Sequence, residues 1–416
     1  MLTLYRFITI IASPVIYLYL LNRRRKGKED VLRFSERFGR TNLSRPNGKL
    51  IWIHAASVGE SLSVIPLITK LSEAHQNINI LVTTGTTSSA KLMETRLPKK
   101  AFHQYIPIDK ICAVKQFLKH WQPNVALWVE SELWPNLITE TSKTCPVILI
   151  NGRMSDSSYK IWSKYTSLSS AILSSFSLVL PQSKQDEERF RKLGAKNVKL
   201  YGNLKYDSAP LPADVEKLSE LVKAISGHKI WLASSTHSNE EQIVAGIHKQ
   251  LKKDIPNLIT IIAPRHPKRA NDILADIADL DLNISLRSAN QPISEKTDIY
   301  LADTMGELGI FYRLAPVVFI GGSLVAHGGQ NPLEAARLDC SIIYGPHMEN
   351  FREIEAEFKD SRASISIKDP EELHKILTEL FQNSEKQKEL ARNALELVKG
   401  KSGILDAYLK DLSSYI

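Results

Sequence analysis

Two series of short apolar runs, separated by segments with helical spacing, constrain the fold of this 416-residue chain more than any other feature. Strands that are apolar on both faces and alternate with helices are typical of a parallel sheet covered by helices on both sides. A chain of this length has room for two such domains. The first series predicts strands at Leu50–His54, Ile78–Thr83, His103–Pro107, Val125–Val129, Val147–Ile150, Leu178–Leu180 and Val198–Tyr201; the second predicts Ile230–Ala233, Leu258–Ala263, Ile299–Leu301, Val317–Ile320 and Ile342–Tyr344.

The sequence therefore predicts an α/β protein made of two Rossmann-like domains in tandem. Pro210 and Pro212 lie between the two series and suit a linker at the domain boundary. In open α/β sheets, ligands bind beyond the carboxyl ends of the strands. Two domains that face each other would accordingly enclose one cleft.

Charge and cysteine content exclude several classes of function. The net charge is +9, but residues 1–40 alone hold nine Lys and Arg against three acids. The rest of the chain therefore carries only +3 and has no basic stripe interleaved with aromatic residues, which argues against a nucleic-acid surface. The three cysteines, Cys112, Cys145 and Cys340, are widely separated, so neither a disulfide framework nor a zinc site is indicated, and a reducing compartment fits.

The N-terminal segment from Leu2 to Leu21 is mostly apolar and is followed directly by NRRRKGK. As one helix it would reach roughly 30 Å, enough to cross a bilayer. It lacks the charge order and the cleavage site of a secretory signal, so we interpret it as an uncleaved anchor. The positive-inside rule then places the body of the protein on the cytoplasmic face. Arg6 and Pro14 oppose a spanning helix, and a helix lying in the membrane interface is the alternative.

The stretch IWIHAASVGES, Ile51 to Ser61, reads as a buried strand, a tight loop and the start of a helix, with Glu60 in the first turn. The helix dipole and the free N–H groups of the loop favour an anion there, so we expect Glu60 to be ionised near neutral pH, as a general base must be. The alternative is that Glu60 is simply a favourable residue for the first turn of a helix.

Two further charged residues stand at strand ends or at the domain junction. Glu130 directly follows the apolar run VALWV and is costly to bury unless it is paired. It either handles charge in a reaction or forms a structural pair with a residue such as Arg153. Lys205, in GNLKYD, is placed to face a phosphate or carboxylate; the alternative is a solvated charge.

The second domain carries a predicted phosphate-binding site. The segment VVFIGGSLVAHGGQNPLEAARLD runs from a strand through a glycine loop into a helix expected to begin near Asn331 and Pro332. A helix start reached through bare N–H groups binds anions, and Glu334 in its first turn could accept hydrogen bonds from ribose. The segment APRHPKR adds Arg265 and His266, although His266 could be an ordinary surface histidine. The segment DTMGELG, Asp303–Gly309, adds a further glycine-bearing helix start.

Other fingerprints are missing from the sequence. No GxGxxG motif follows a strand, and no GxxxxGK[ST], HExxH or GxSxG motif occurs, which argues against nicotinamide enzymes, P-loop NTPases, zinc proteases and serine hydrolases. A DxD string does occur at Asp279–Asp281, but its surroundings favour a solvated turn at a helix end.

Taken together, HAASVGES, ESELWPN, NGRMSDSS, GNLKYD, APRHPKR, GELG, GGSLVAHGGQNPLEAA and YGPHMENF resemble, in order and spacing, the 3-deoxy-D-manno-octulosonic acid (Kdo) transferases of lipopolysaccharide biosynthesis. The resemblance covers essentially the whole chain. It implies a GT-B fold with two Rossmann-like domains facing across a cleft and an N-terminal membrane-anchor helix. It also implies an inverting glycosyltransferase that needs neither metal nor cofactor and moves Kdo from CMP-Kdo to lipid IVA, the lipid A precursor, at the cytoplasmic leaflet of the inner membrane.

The resemblance also assigns residues and domains. It implies that Glu60 is the general base and that Glu130 and Lys205 stabilise the transition state. The CMP contacts carried over are Arg265, His266, Gly306, Glu307, Leu308, Asn331, Pro332, Leu333 and Glu334. The expected domains are an anchor with its basic flank at 1–30, an acceptor domain at 31–207 and a CMP-sugar donor domain at 208–416.

The chemistry of such a transfer agrees with this residue list. Inversion by a single displacement requires one base and no nucleophilic partner, which suits an isolated Glu60. CMP carries one phosphate, so the case for a divalent cation is weaker than for a diphosphate donor, and Arg265 could neutralise the phosphate instead. Two alternatives remain: another GT-B sugar-nucleotide enzyme, either an epimerase or a transferase with a diphosphate donor, and a non-catalytic membrane binding factor.

Overall fold

The structure, a computed structural model of the full chain, describes every residue except Gln76. It contains two compact units: unit 1 comprises Met1–Ser208 with Ser402–Ile416, and unit 2 comprises Ala209–Lys401. Each unit is built around one sheet in which all strand pairs are parallel, as the continuous apolar runs predict.

Unit 1 has a six-stranded sheet in the order β3-β2-β1-β4-β5-β6. Its strands are β1 Lys49–His54, β2 Ile78–Thr84, β3 Ala101–Tyr105, β4 Val125–Val129, β5 Val147–Gly152 and β6 Leu178–Pro181. Its helices before the boundary are α1 Leu2–Ile11, α2 Ser13–Arg25, α3 Val58–Ala74, α4 Thr87–Arg96, α5 Ile111–Trp121, α6 Pro135–Thr141, α7 Asp156–Trp162, α8 Thr166–Leu173 and α9 Lys184–Lys192. Strands β2 and β3 follow on one side of β1, and β4 to β6 follow on its other side. The point where the strand order reverses, the switch point of the sheet, therefore lies between β1 and β4.

An aromatic cluster fixes the two central strands of unit 1. The ring centroid of Trp52 in β1 lies 5.0 Å from that of Trp128 in β4 and 4.7 Å from that of Phe117 in α5. The indole N–H of Trp52 donates to Oγ1 of Thr83 at 2.9 Å, so its polar atom is satisfied in the core. The ends of β1 and β4 are therefore held rigidly beside each other.

Unit 2 has a seven-stranded sheet in the order β13-β12-β11-β7-β8-β10-β9. Its strands are β7 Lys229–Thr236, β8 Leu258–Pro264, β9 Ile284–Leu286, β10 Ile299–Leu301, β11 Val317–Ile320, β12 Ser341–Tyr344 and β13 Ile365–Ser366. Its helices are α10 Val215–Ala224, α11 Glu240–Leu251, α12 Ala270–Asp276, α13 Leu308–Leu314, α14 Leu333–Ala336, α15 Arg352–Asp360, α16 Pro370–Gln382 and α17 Ser384–Gly400. The switch point lies between β7 and β11. There Gly321 is so close to β7 that a Cβ atom on it would lie 2.5 Å from the carbonyl oxygen of Ser235.

Two predicted elements differ in the structure. Val198–Tyr201 is not a strand, since Val198 makes only a single parallel bridge to Val179. The last helix, α18 Ile404–Leu412, belongs to unit 1, whereas the predicted donor domain ran to residue 416. Asp207 accepts hydrogen bonds from the N–H groups of Gly403 and Leu405 at the start of this helix. The chain thus returns to unit 1 through contacts that local sequence patterns do not reveal.

The apolar N-terminal segment forms two helices rather than the single helix predicted for Leu2–Leu21. α1 and α2 are bent by 59° at Ala12. Arg6 in α1 forms an ion pair with Glu140 in α6 at 2.6 Å, and the hydroxyl of Tyr5 donates to Asp109 at 2.8 Å. Arg6, which opposed a spanning helix in the sequence, therefore attaches α1 to the body of unit 1 together with Tyr5.

Within the described part of the chain, no individual helix has both the length and the apolar composition needed to cross a membrane, while α1 and α2 reach these values only when combined as a bent pair.

Candidate active site

Glu60 lies at the switch point of unit 1, in the first turn of α3 and directly after the loop that follows β1. Ser57 is the N-cap of α3: its Oγ accepts a hydrogen bond from the N–H of Glu60 at 3.2 Å. The Glu60 carboxylate in turn accepts from Ser57 Oγ at 3.0 Å and from the Ala56 N–H at 2.8 Å. This reciprocal arrangement resembles a capping box and fixes the rotamer of the carboxylate. The predicted strand, loop and helix start are confirmed.

The protonation state of Glu60 differs from the prediction. The pKa of Glu60 is raised to about 7, chiefly by burial and next by the carboxylate of Glu130, while the hydrogen bonds from Ala56 and Ser57 oppose this rise. The side chain is only 9% exposed. The prediction that Glu60 is ionised near neutral pH is therefore wrong in degree, because the sequence shows neither how deeply the residue is buried nor that a second acid lies beside it. An acid that is half ionised near pH 7 is well matched to proton transfer at that pH.

Glu130 is held at the end of β4 in an unusual backbone conformation. Its φ is +56°, in the left-handed region that glycine favours and other residues rarely occupy. The backbone is fixed on both sides, since the N–H of Glu130 donates to Ile150 O at 3.1 Å and its carbonyl accepts from the Arg153 N–H at 3.3 Å. Such strain persists only where the surrounding structure enforces it, and it is concentrated at functional sites.

Lys205 forms an ion pair with Glu130, with 3.0 Å between Nζ and Oε1. Its own position is set by a short 3₁₀ turn, Leu204–Asp207, in which Asn203 accepts from the N–H of Lys205 at 3.0 Å. The alternative of a solvated lysine is wrong, and the charged partner of Glu130 is Lys205. The structure thus brings Glu60, Glu130 and Lys205 together on unit 1.

In unit 2, Arg265 and His266 follow β8 and lie in a cluster of basic side chains. The ring of His266 is 6.3 Å from that of His237, which follows β7, and the ring of His237 is 3.7 Å from that of His327 in the loop after β11. Burial and the neighbouring cations lower the pKa of His237 to about 4. Glu334 belongs to the same edge of the sheet, because Arg265 is close enough to oppose the burial that raises the pKa of Glu334.

The first residues of the glycine loop after β11, Gly322 to Leu324, do not present bare N–H groups, contrary to the prediction. The fully buried carboxylate of Glu240 accepts from the N–H groups of Gly322, Ser323 and Leu324 at 2.6, 3.1 and 3.0 Å. It also accepts from the N–H of His237 at 2.9 Å. An internal carboxylate thus occupies three amides of this loop.

The helix expected near Asn331 and Pro332 is a single short turn. α14 has four residues and begins at Leu333, whose N–H donates to Oδ1 of Asn331 at 3.1 Å. The side chain of Asn331 therefore binds a backbone N–H at the start of this turn. Pro332 and Leu333 are buried.

The third predicted CMP segment, Gly306–Leu308, leads into the start of α13 at Leu308. The carboxylate of Glu307 is bound by Arg287 at 2.9 and 3.0 Å and by Lys217 at 3.0 Å. The hydrogen bond from Arg287 is the largest cause that lowers the pKa of Glu307 to about 2. Because this carboxylate is already paired with two cations, the segment is suited to contact a ligand through its backbone.

Three residues of this site in unit 2 were not identified from the sequence: His237, Glu240 and His327. A signal for the first two was present, because the polar string SSTHSNEE directly follows the predicted strand Ile230–Ala233. The same rule that selected Glu130, a polar residue just after a buried strand, selects them. In the described part of the chain, no three His, Cys, Asp or Glu side chains are grouped so that they could hold a metal ion.

The two parallel sheets, with polar sites beyond their strand ends, define the class: an α/β protein with a GT-B-like arrangement of elements. The solved structure of a UDP-GlcNAc 2-epimerase from Neisseria meningitidis bound to UDP-GlcNAc has the same fold, with a TM-score of 0.60, 13% identity and coverage of 87% of this chain and 100% of that chain. At that level of identity the similarity concerns the fold alone.

The family follows from sequence comparison. Residues 32–208 match the family model for 3-Deoxy-D-manno-octulosonic-acid transferase (kdotransferase). A 3-deoxy-D-manno-octulosonic acid transferase of Rickettsia bellii is 39% identical over 417 residues, covering 100% of both chains. That of Haemophilus influenzae is 32% identical over 421 residues, covering 99% of this chain and 98% of the relative.

The chain therefore belongs to the 3-deoxy-D-manno-octulosonic acid transferase family. The predicted resemblance and the predicted enzyme class, a glycosyltransferase that transfers Kdo in lipopolysaccharide biosynthesis, are confirmed.

Proposed function

We propose that this Kdo transferase takes Kdo from CMP-Kdo and attaches it to lipid IVA with inversion at the anomeric carbon, without a metal ion. The observation that carries the proposal is Glu60: a nearly buried acid with a pKa of about 7, beside a second acid, at the switch point of unit 1. A base must be ionised part of the time and must also gain free energy by accepting a proton, and a pKa near the operating pH meets both conditions.

In the proposed reaction, Glu60 accepts the proton of an acceptor hydroxyl. The hydroxyl oxygen then forms a bond to the anomeric carbon of Kdo, while the bond from that carbon to the CMP phosphate oxygen breaks and CMP leaves with the electron pair. Positive charge develops at the anomeric carbon, and the carboxylate of Glu130 stabilises it. Lys205, 3.0 Å from Glu130, offsets the carboxylate of the sugar or the departing phosphate.

The donor is assigned to unit 2. Arg265 and His266 supply cationic and hydrogen-bonding groups for one phosphate. The loop after β11, whose first amides bind Glu240, carries His327, and the ring of His327 contacts that of His237. A single phosphate needs less neutralisation than a diphosphate, which is why we propose metal-independent transfer. Activity that EDTA removes and Mg²⁺ restores would contradict this part of the proposal.

Membrane association is assigned to the outer face of α1 and α2. Phe7, Ile11 and Leu18 are 60%, 62% and 64% exposed, an unusual amount of apolar surface to leave in water. We propose that this face lies in the cytoplasmic leaflet of the inner membrane, next to the basic run after α2. Replacing these three residues by Ser should move the protein to the soluble fraction. Truncation is a poorer test, because it also removes the attachment of α1 through Arg6.

The test of the main proposal is transfer by purified protein from CMP-Kdo to lipid IVA, followed by mass spectrometry and by NMR assignment of the anomeric configuration. Glu60→Gln should lower the transfer rate by about 10²–10⁴-fold, as the loss of a general base does. Glu73→Gln is the matched control, since Glu73 is exposed on the same helix. Retention of the anomeric configuration, or comparable rates for Glu60→Gln and wild type, would refute the mechanism.

Nucleotide specificity separates this proposal from a diphosphate-donor enzyme of the same fold. CMP should protect the protein against thermal unfolding, and UDP should not. The protection should persist in Glu60→Gln, because Glu60 belongs to unit 1 and the predicted nucleotide contacts belong to unit 2. Protection by UDP alone would favour the other class of donor.

A further inference from the structure

A cavity of about 400 Å³ lies in unit 1 between the N-terminal helices and the carboxyl ends of the central strands. One wall comes from α1 and α2, with Thr9, Ile16 and Leu20, and the opposite wall includes His54 and Ala56 at the end of β1. The size is typical of pockets that bind small molecules or parts of them.

The cavity shares a wall with the candidate active site. Ala56 lines it, and the N–H of Ala56 donates to the carboxylate of Glu60 at 2.8 Å. Glu132, which also lines the cavity, is close enough to contribute to the raised pKa of Glu60. A ligand in this cavity would therefore lie next to the proposed base.

The chemistry of the lining favours an uncharged, apolar ligand. Arg23 and Arg37 both form ion pairs with Glu29, at 2.6 and 2.9 Å. Asp109 accepts hydrogen bonds from the Tyr5 hydroxyl and from two backbone N–H groups of α6. Arg23, Arg37, Glu29 and Asp109 are thus paired or hydrogen-bonded within the protein. Ile16, Leu20, Ile106 and Leu137 supply apolar surface in the same lining.

The two helices that cover the cavity are also apolar on their outer face. Val15 is 68% exposed there, as are the residues proposed above to contact the membrane. The pair therefore separates two apolar regions, the cavity on the inner side and the proposed lipid surface on the outer side. A helix that is apolar on both sides is expected to be covered on both sides.

We propose that this cavity receives one acyl chain of the lipid acceptor and so presents the acceptor hydroxyl to Glu60. The inference rests on the proposed function, because it requires an acylated acceptor. A chain held under α1 and α2 would leave the polar part of the acceptor at the end of β1, where Ala56 and Glu60 lie. The pocket would contribute to the affinity for acylated acceptors and would contribute little for acceptors without chains.

The kinetic test uses a substitution that fills the cavity. Thr9→Trp places a large side chain in it, and Ile161→Trp, at an exposed position of α7, is the matched control. The measured quantity is the ratio of kcat/KM for lipid IVA to kcat/KM for its deacylated form. Thr9→Trp should lower this ratio at least about 10-fold, mainly through KM, and Ile161→Trp should leave it unchanged. A ratio that is the same in Thr9→Trp and wild type would overturn the proposal.

A binding measurement on wild-type protein covers the case in which Thr9→Trp fails to fold. The probe is a C14 phospholipid with a diazirine at the chain end, in detergent micelles. Crosslinks to Ile16 or Leu20, suppressed by excess lipid IVA, support the pocket, and crosslinks confined to outward residues such as Leu18 overturn it. The result is independent of turnover: if wild type transfers Kdo to neither acceptor, the proposed function fails while the crosslinking still decides whether the cavity holds a chain.

Discussion

Replacing Glu60 by Gln should lower the transfer rate by about 10²–10⁴-fold and, at alkaline pH, make the protein more stable. Burial and Glu130 raise the pKa of Glu60 from 4.5 to about 7. Each pH unit between these two values corresponds to about 1.4 kcal/mol, so the ionised carboxylate costs the folded state roughly 3 kcal/mol at pH 8. An uncharged amide of the same shape avoids that cost and can still accept the hydrogen bond from Ala56.

The difference in stability between Glu60→Gln and wild type should depend on pH. A raised pKa means that the folded protein holds the proton more tightly than the unfolded chain, so stability falls as the pH rises from 4.5 to about 7 and is then constant. Below pH 4.5, Glu60 is protonated in both the folded and the unfolded protein, so its ionisation no longer affects stability. Glu60→Gln should therefore be more stable than wild type by about 2–3 kcal/mol at pH 8 and by less than about 1 kcal/mol at pH 5.

Urea unfolding monitored by tryptophan fluorescence is the suitable assay. Five of the six tryptophans belong to unit 1, and Trp231 belongs to unit 2, so the signal reports chiefly on the unit that holds Glu60. Glu73→Gln, on the exposed side of α3, should change neither stability nor activity. A Glu60→Gln protein that is equally destabilised at pH 5 and pH 8 would refute this prediction. It would show that the hydrogen bonds of the carboxylate stabilise the fold by more than its buried charge destabilises it.

Three other variants test the remaining groups. Glu130→Gln should lower the pKa of Glu60 and shift the acid limb of the kcat/KM profile to lower pH, whatever its effect on the maximum rate; an unmoved midpoint contradicts the coupling. Glu240→Ala leaves four buried or partly buried N–H groups without their acceptor. It should therefore destabilise the protein by about 2–4 kcal/mol in urea unfolding and weaken CMP binding in calorimetry. Arg287→Met removes the hydrogen bond that is the largest cause of the low pKa of Glu307, about 2. The substitution should therefore destabilise the protein at pH 7, and this effect should shrink as the pH falls from 4.5 toward 2. An equal decrease in melting temperature at pH 7 and pH 3 contradicts this.

The sheets were predictable because buried parallel strands carry a local signal. β1, β4 and β11 are short, continuously apolar and flanked by helical patterns, and each appears where the sequence places it. Short edge strands carry less of this signal: β9 and β13 were missed, and Val198–Tyr201 was predicted as a strand although only Val198 bridges to the sheet.

The candidate catalytic residues were predictable for a related reason. A charged residue directly after a buried strand, as Glu130 is, must either be paired or take part in function. Sequence position also placed Glu60 correctly at a helix start, where Ser57 caps the helix. What position could not show is which groups face each other: the pairing of Lys205 with Glu130 joins residues far apart in the chain.

The amino-acid sequence by itself determined the two parallel sheets, the family and the identity of the acids and bases at the strand ends, because apolar runs, helix starts and short motifs are local properties of the chain. Tertiary structure alone decided the pKa of Glu60, the occupation of the glycine-loop amides by Glu240, the bend between α1 and α2 and the return of α18 to unit 1. Each of these depends on burial or on the distance between residues remote in sequence. A pKa in particular is set by the groups around a side chain in space, which the order of residues does not specify.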